Sequence, residues 1–335
     1  MTDVLGWGVI GLGRFGPIHA EVVRSLRGVE LVALATRRVD RLNECADRFG
    51  VARRYTDYRA LVDDPSVDVV SITTHWRDHA SVALAALAAG KHVLLEKPMA
   101  PTANECRRLI EVAQAARRRL MVGHVCRFDP RVALAHEAIE AGRLGRIVSM
   151  HARRNLARAP ASVRLDKIPP LMGDGIHDAD LMLWFTGRMP TGVYARTIRV
   201  GQAQHADIGW AMLEFGDEAM GVVETIWCLP ENTPYQIDAR MEVIGTEGAL
   251  YIDCANAGLA IQDARGWHQP DTAYWPLVHE RRTGALASEL AYFADCVRRG
   301  IDPAVITPEE AACAVAVMEA AERSAAQGQR IAIGA

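Results

Sequence analysis

Apolar residues fall along this chain in two rhythms. Through the first 124 residues, short apolar runs (Val4–Ile10, Leu31–Ala35, Val67–Ile72, His92–Leu95, Leu120–Gly123) alternate with helix-period segments (Pro17–Leu26, Val39–Phe49, His79–Ala89, Thr102–Arg118). Continuous rather than alternating apolar runs belong to strands buried on both faces, so this stretch predicts a parallel sheet covered by helices. Thr102, with Glu105 three residues on, forms a capping box for the last of these helices.

After Arg127 the rhythm changes. A helix over Arg131–Ala141 leads to a strand over Ile147–Arg153, a polar, proline-containing stretch over Asn155–Pro170, and a helix over Gly175–Thr186. From there to about residue 263 apolar and polar residues alternate between turn signals. Ile208–Phe215 and Met220–Trp227 flank Gly216-Asp217, and Gln236–Ile244 and Leu250–Asp253 flank Gly245-Thr246-Glu247-Gly248, the pattern of an antiparallel sheet. The chain turns helical again over Ala285–Arg298 and Pro308–Ala326, the latter opened by Thr307-Pro308-Glu309-Glu310. Two domains are expected, 1–124 and 125–335, with the last helix (308–326) packing back on the first.

Composition narrows the function. A length of 335 residues suits about two cores. A net charge of −3, without a basic stripe, excludes nucleic acid and anionic membrane surfaces as expected partners. No apolar run reaches the roughly 18 residues of a membrane span, and no basic, apolar leader opens the chain. Seven cysteines without a CxxC pair argue against disulfides and zinc and for a reducing cytoplasm, and no metal is expected. Only three lysines stand against thirty-five arginines, so each lysine is a candidate for chemistry that needs a titratable amine.

Gly11-Leu12-Gly13-Arg14-Phe15-Gly16 lies between the first strand and the first helix. There Gly11 permits the tight turn, Gly13 lets the backbone approach a pyrophosphate, and Gly16 allows close helix–strand packing. The bland alternative is a turn that needs glycines for packing only. An acid that would bind a free ribose 2′-hydroxyl is missing from the end of the second strand, which reads Thr36-Arg37-Arg38. A hydroxyl and two guanidiniums suit a 2′-phosphate, so the expected cofactor is NAD(P), leaning to NADP. Otherwise these arginines are the solvated start of a helix.

Lys97 closes the fourth long strand as Leu95-Glu96-Lys97-Pro98, over the crevice where α/β sheets bind ligands. It can favour the deprotonated form of a substrate hydroxyl, or be a surface lysine. In Gly173-Asp174-Gly175-Ile176-His177-Asp178-Ala179-Asp180, His177 and Asp180 share a helix face, as a general base and its orienter would. Acids capping a helix beside a packed histidine give the same pattern.

These segments together resemble the Gfo/Idh/MocA oxidoreductases: GLGRFG with His19, the run Ala89–Pro98 (AGKHVLLEKP), Gly175–Asp178 with Asp180, and Glu242–Gly248 (EVIGTEG). The resemblance implies an α/β protein, an N-terminal Rossmann dinucleotide-binding domain plus a C-terminal α/β domain with a large open, mainly antiparallel sheet, assembling as a homodimer or homotetramer. It implies catalysis by Lys97 and His177. It places cofactor contacts on Gly11, Gly13, Arg14, Phe15, Gly16, Thr36, Arg37, Arg38, Thr74, His75, Trp76, His79, Glu96 and Lys97. Substrate contacts fall on Lys97, Arg127 (with Phe128), Asp174 and His177, and a substrate of many hydroxyls points further to Arg153 and Asn155, with Arg154, Arg158 and Lys167 nearby; this arginine density either meets a phosphate or carboxylate or is a solvated loop of an arginine-rich chain. The family's aspartate four residues before the histidine is Gly173 here; either Asp174 replaces it as a catalytic group, or Lys97 and His177 act alone. Trp76 stands where the family has asparagine, and either lines the pocket or packs.

The activity implied is hydride transfer between nicotinamide and a secondary alcohol of a sugar, cyclitol or sugar derivative. Two alternatives share the scaffold: a glycosidase with a retained NAD, and a non-catalytic nucleotide sensor.

Overall fold

The computed structural model describes residues 4–255, 258–264 and 266–334. The chain divides into two compact units, 1–128 with 273–312 and 129–272 with 313–335. The first recovers a C-terminal stretch because Ala285–Arg299 packs on its sheet and first helix, an association that sequence adjacency does not signal.

In the first unit β1 (Leu5–Ile10), β2 (Val29–Ala35), β3 (Arg53–Tyr55), β4 (Val69–Ile72), β5 (His92–Glu96) and β6 (Leu120–Gly123) pair in parallel in the order β3-β2-β1-β4-β5-β6. That order reverses at β1, the topological switch point of a dinucleotide-binding sheet. The crossovers are α1 (Gly16–Val23), α2 (Val39–Phe49), α3 (Tyr58–Val62), α4 (His79–Ala88) and α5 (Ala103–Ala116). Trp7, Val9, Val70, Ile72, Val93, Leu95, Leu120 and Val122 are all buried, as continuous apolar strands require. The Thr102 cap forms as read: its Oγ1 accepts from Glu105 N at 3.3 Å and donates to Glu105 Oε2 at 2.9 Å.

The second unit holds α6 (Pro130–Glu140), β7 (Ile147–Asn155), α7 (Arg158–Leu165), α8 (Ile176–Thr186), β8 (Gly192–Ile198), β9 (Ile208–Phe215), β10 (Ala219–Ile226), β11 (Asp238–Gly245) and β12 (Ala249–Asp253). Two short strands, β13 (Ile261–Asp263) and β14 (Gly266–His268), pair separately. In the first unit β15 (Leu277–Val278) and β16 (Arg281–Arg282) precede α9 (Ala285–Arg299). Helix α10 (Pro308–Gln327) and strand β17 (Ile331–Ala332) follow. The large sheet runs β12-β11-β7-β10-β9-β8-β17 and is antiparallel except for the β7–β10 pair. The polar stretch 155–170 contains α7, against expectation: Ala161 and Leu165, one turn apart, bury against Leu156 and Trp227.

Candidate active site

β1 leads through Gly11–Phe15 into α1. Gly11 has φ +96°, and a side chain there would meet the Thr73 and Thr74 backbone at 2.7 Å. At Gly16 a Cβ would lie 2.0 Å from the Gly11 carbonyl oxygen. Gly13 differs: it is exposed, with nothing within 4 Å of where its Cβ would be. The fold needs the first and last glycines. The middle one leaves open main chain before a helix N-terminus, the shape and polarity that a pyrophosphate needs.

Around this loop Thr73 Oγ1 donates to Gly11 O at 2.6 Å. Arg38 Nη2 and Arg41 Nε both donate to Leu12 O at 3.1 Å. Arg41 escaped the sequence reading; its one signal is its place a turn after Arg38. Arg37 is exposed beside Asp78, at 3.6 Å, and Thr36 N donates to Tyr55 O. Arg14 is exposed and Phe15 packs edge-on against His19 and Trp275. His75 Nδ1 accepts from Arg77 N, and the Arg77 guanidinium lies over Trp76 at 5.3 Å. Thr74 and Trp76 are half-buried.

Lys97 sits half-buried just past β5, and its bond to Pro98 is cis. The next carbonyl, Pro98 O, lies 2.7 Å from Nδ1 of buried His79. Burial holds the His79 pKa below its ordinary value, so its neutral ring donates from Nδ1. His79 therefore braces the lysine's segment from α4. Beneath Glu96, His19 Nε2 stands 3.2 Å from Oε1, His19 Nδ1 stands 3.2 Å from Ser71 Oγ, and Trp7 Nε1 donates to that same Oγ at 2.9 Å. Arg127, expected to touch substrate, is buried and donates to Val305 O at 2.9 Å and Glu310 Oε1 at 3.1 Å.

In the second unit a widened π-type turn, Leu171–Gly175, runs into α8, and His177 is buried in that helix's first turn. Such turns recur at functional sites. Asp178 beside it takes both Nη2 (2.8 Å) and Nε (3.3 Å) of buried Arg154 on β7. Asp180 is fully buried on the same helix. Asp174 accepts from Arg164 Nη2 at 2.7 Å, and the Arg164 guanidinium lies over Trp227 at 4.4 Å. A Cβ on Gly173 would stand 2.8 Å from the Trp227 ring, so the indole closes the place a side chain there would take.

Strand pleating separates the remaining candidates. Arg154 points to the sheet face that carries α8, so Arg153 and Asn155 point to the other. There Arg153 Nε stands 3.3 Å from Asp238 Oδ2, and Asn155 Nδ2 donates to Glu224 Oε1 at 2.7 Å. The two residues expected to line the pocket with His177 thus lie across the sheet from its helix. Lys167 and Arg158 are exposed.

Residues 5–124 match the family model described as "Oxidoreductase family, NAD-binding Rossmann fold", and residues 132–251 match the "GFO/IDH/MocA C-terminal domain". Over 95% of both chains, the sequence is 32% identical to a myo-inositol 2-dehydrogenase of Thermotoga maritima. It is 30% identical to a scyllo-inositol 2-dehydrogenase (NAD(+)) of Bacillus subtilis, over 96% of this chain and 94% of that one. Among solved structures, GenD2 from gentamicin A biosynthesis in complex with NAD superposes with a TM-score of 0.89 at 26% identity, covering 100% of this chain and 98% of its own.

Proposed function

This chain belongs to the Gfo/Idh/MocA oxidoreductase family, and from that membership and its geometry we propose that it is a nicotinamide-dependent dehydrogenase of a cyclitol or closely related sugar alcohol. The observation that carries the reading is the open Gly13 main chain at the β1–α1 turn, on a sheet whose β5 stops one residue before Lys97. Both inositol dehydrogenases named above align along nearly the whole chain, which supports the cyclitol.

Nicotinamide, when bound, supplies the hydride acceptor. The Gly11–Gly16 main chain and the α1 N-terminus hold the pyrophosphate, with Thr74, His75, Trp76 and Glu96 on neighbouring strand ends. Lys97 holds the hydroxyl to be oxidised and His177 takes its proton. Arg154 and Asp178 keep the histidine's turn in place. The exposed Arg37, beside Thr36 and Arg38, favours NADP through its 2′-phosphate. Seven cysteines without a CxxC pair fit a cytoplasmic location, and among the described residues no helix is long and apolar enough to cross a membrane.

The open sheet face exposes Tyr194, Ile198, Trp210, Met212, Met220 and Tyr251. So large an apolar patch supports burial by a second copy, as a homodimer or homotetramer. Sedimentation of the wild type and of Trp210→Glu tests that part.

For the activity, inositol isomers and related sugar alcohols are offered with NAD⁺ and NADP⁺, and nicotinamide reduction is followed by fluorescence. Reduction by a cyclitol supports the reading. Sugar release without net reduction would instead mark a glycosidase, and tight nucleotide binding without turnover on any polyol a sensor.

A further inference from the structure

Leu42, Cys45, Ala46 and Phe49 bury one face of α2, which packs on β2, β3 and α1. That packing leaves Arg38 at the helix N-cap and Arg41 in the first turn, and both reach the glycine loop. Arg38 Nη2 and Arg41 Nε donate to Leu12 O, each at 3.1 Å, and Arg41 Nη2 lies 3.4 Å from Gly13 O. Arg41 Nη1 donates to both carboxylate oxygens of Glu44, three residues on, at 2.7 Å. All three nitrogens of Arg41 are therefore engaged within the chain, unlike those of a residue placed to grip a phosphate. A cation in the first turn of a helix also opposes the helix dipole. Arg41 stands there against that local preference, and such exceptions gather at functional sites.

The peptide group is planar and trans, so a carbonyl and the N–H on the same bond point in opposite directions. Leu12 O shares its peptide with the Gly13 N–H, and Gly13 O shares its peptide with the Arg14 N–H. With both oxygens drawn toward α2, both N–H groups point away from it. Among the described residues neither amide donates to a main-chain carbonyl, whereas the Gly11 amide is spent on Ala35 O at 2.8 Å. The Leu12 side chain is fully buried and pins one end of this stretch, while Gly13 and Arg14 are exposed. A positive group on a carbonyl oxygen also draws density from its amide, which strengthens the N–H as a donor.

We propose that Arg41 is a positioning residue for the nucleotide. From the carbonyl side it turns the Gly13 and Arg14 amides in one direction, ready to donate to a pyrophosphate oxygen, and it does not touch the nucleotide itself. The proposal rests on the nucleotide-site reading above. The pyrophosphate is common to NAD and NADP, so Arg41 contributes equally to both. Arg37 is different, because its proposed partner is the 2′-phosphate that only NADP carries.

The affinities of NADH and NADPH are measured by fluorescence titration, and those of ADP-ribose and adenosine by displacement of NADH, for wild type, Arg41→Ala and Arg41→Lys. Arg41→Ala should bind NADH, NADPH and ADP-ribose about tenfold less tightly, the size of a hydrogen bond to a charged group, and adenosine, which has no phosphate, within about twofold of the wild type. Arg41→Lys keeps the charge and a donor for Leu12 O, and should recover part of the loss. A much larger loss for NADPH than for NADH overturns the proposal, because Arg41 would then grip the 2′-phosphate. Unchanged affinities in Arg41→Ala overturn it as well. So does a loss that adenosine shares, or one that comes with a fall of more than about 5 °C in the melting temperature of the nucleotide-free protein, since either marks a residue that props the fold. Should Arg41→Ala fail to fold, Arg41→Lys decides by the same comparison, with a smaller but equal loss for the three pyrophosphate ligands expected. Failure of the wild type to bind NADH, NADPH or ADP-ribose overturns the site reading instead.

Discussion

Arg153 and Arg154 are neighbours in β7 and face opposite sides of the same sheet. Arg154 is buried against Asp178 at 2.8 Å, on the side of the helix that carries His177, whereas Arg153 stands 3.3 Å from Asp238 on the open side. Removing Arg154 leaves Asp178 charged, buried and short of its partner. Arg154→Ala should cost about 3–5 kcal/mol, and Arg153→Ala under about 1 kcal/mol. Thermal unfolding of the two variants checks the difference, and kcat should fall only in the first.

Lys97→Ala should lower turnover by orders of magnitude while leaving nucleotide affinity within a few-fold of the parent, because the glycine loop that would hold the pyrophosphate is untouched. Single-turnover rates and fluorescence titration separate the two effects. A variant that turns over at the parent rate removes Lys97 from the chemistry.

Gly173→Asp, which would restore a carboxylate one turn before His177, should destabilise the protein. Its Cβ alone would stand 2.8 Å from the Trp227 ring. Adding Trp227→Leu to the same chain should recover part of the loss, since the two residues contend for one volume. Melting temperatures of the single and double variants show whether the effects fail to add.

Acid should weaken the first unit through His92. Burial, then Arg118 and Arg119, lower its pKa from 6.5 to about 4, and its Nδ1 accepts from Arg119 N at 3.0 Å. The unfolded chain takes up this proton first. The stability that His92 contributes is therefore complete above about pH 6.5 and is lost as pH falls toward about 4. Melting temperature against pH should fall across that window, and His92→Gln should flatten the fall.

Replacing both Arg37 and Arg38 by alanine should weaken NADPH binding far more than NADH binding. Arg38 also supports the loop through Leu12 O, so some loss for both nucleotides is expected. Equal losses would mean that neither arginine meets a 2′-phosphate.

Much of the local structure around the candidate site was readable in the sequence. The glycine loop, the Thr102 and Thr307 caps, the end of β5 just before Lys97 and the first turn of α8 all depend on residues within a few positions of one another. Local propensity and periodicity encode such features directly. Of the three scarce lysines, Lys91 is structural: its ammonium donates to Asp64 O and Val67 O. What the sequence by itself determined is therefore a parallel nucleotide-binding sheet, a second unit with an antiparallel sheet, and the identity of the groups at the strand and helix ends. Tertiary structure alone decided which side of β7 each arginine serves, that Arg127 pairs with Glu310, and that Trp227 closes the space at Gly173. Each of these joins residues tens to nearly two hundred positions apart, and a side chain's direction and burial follow from the packing of both partners, which neither local stretch contains.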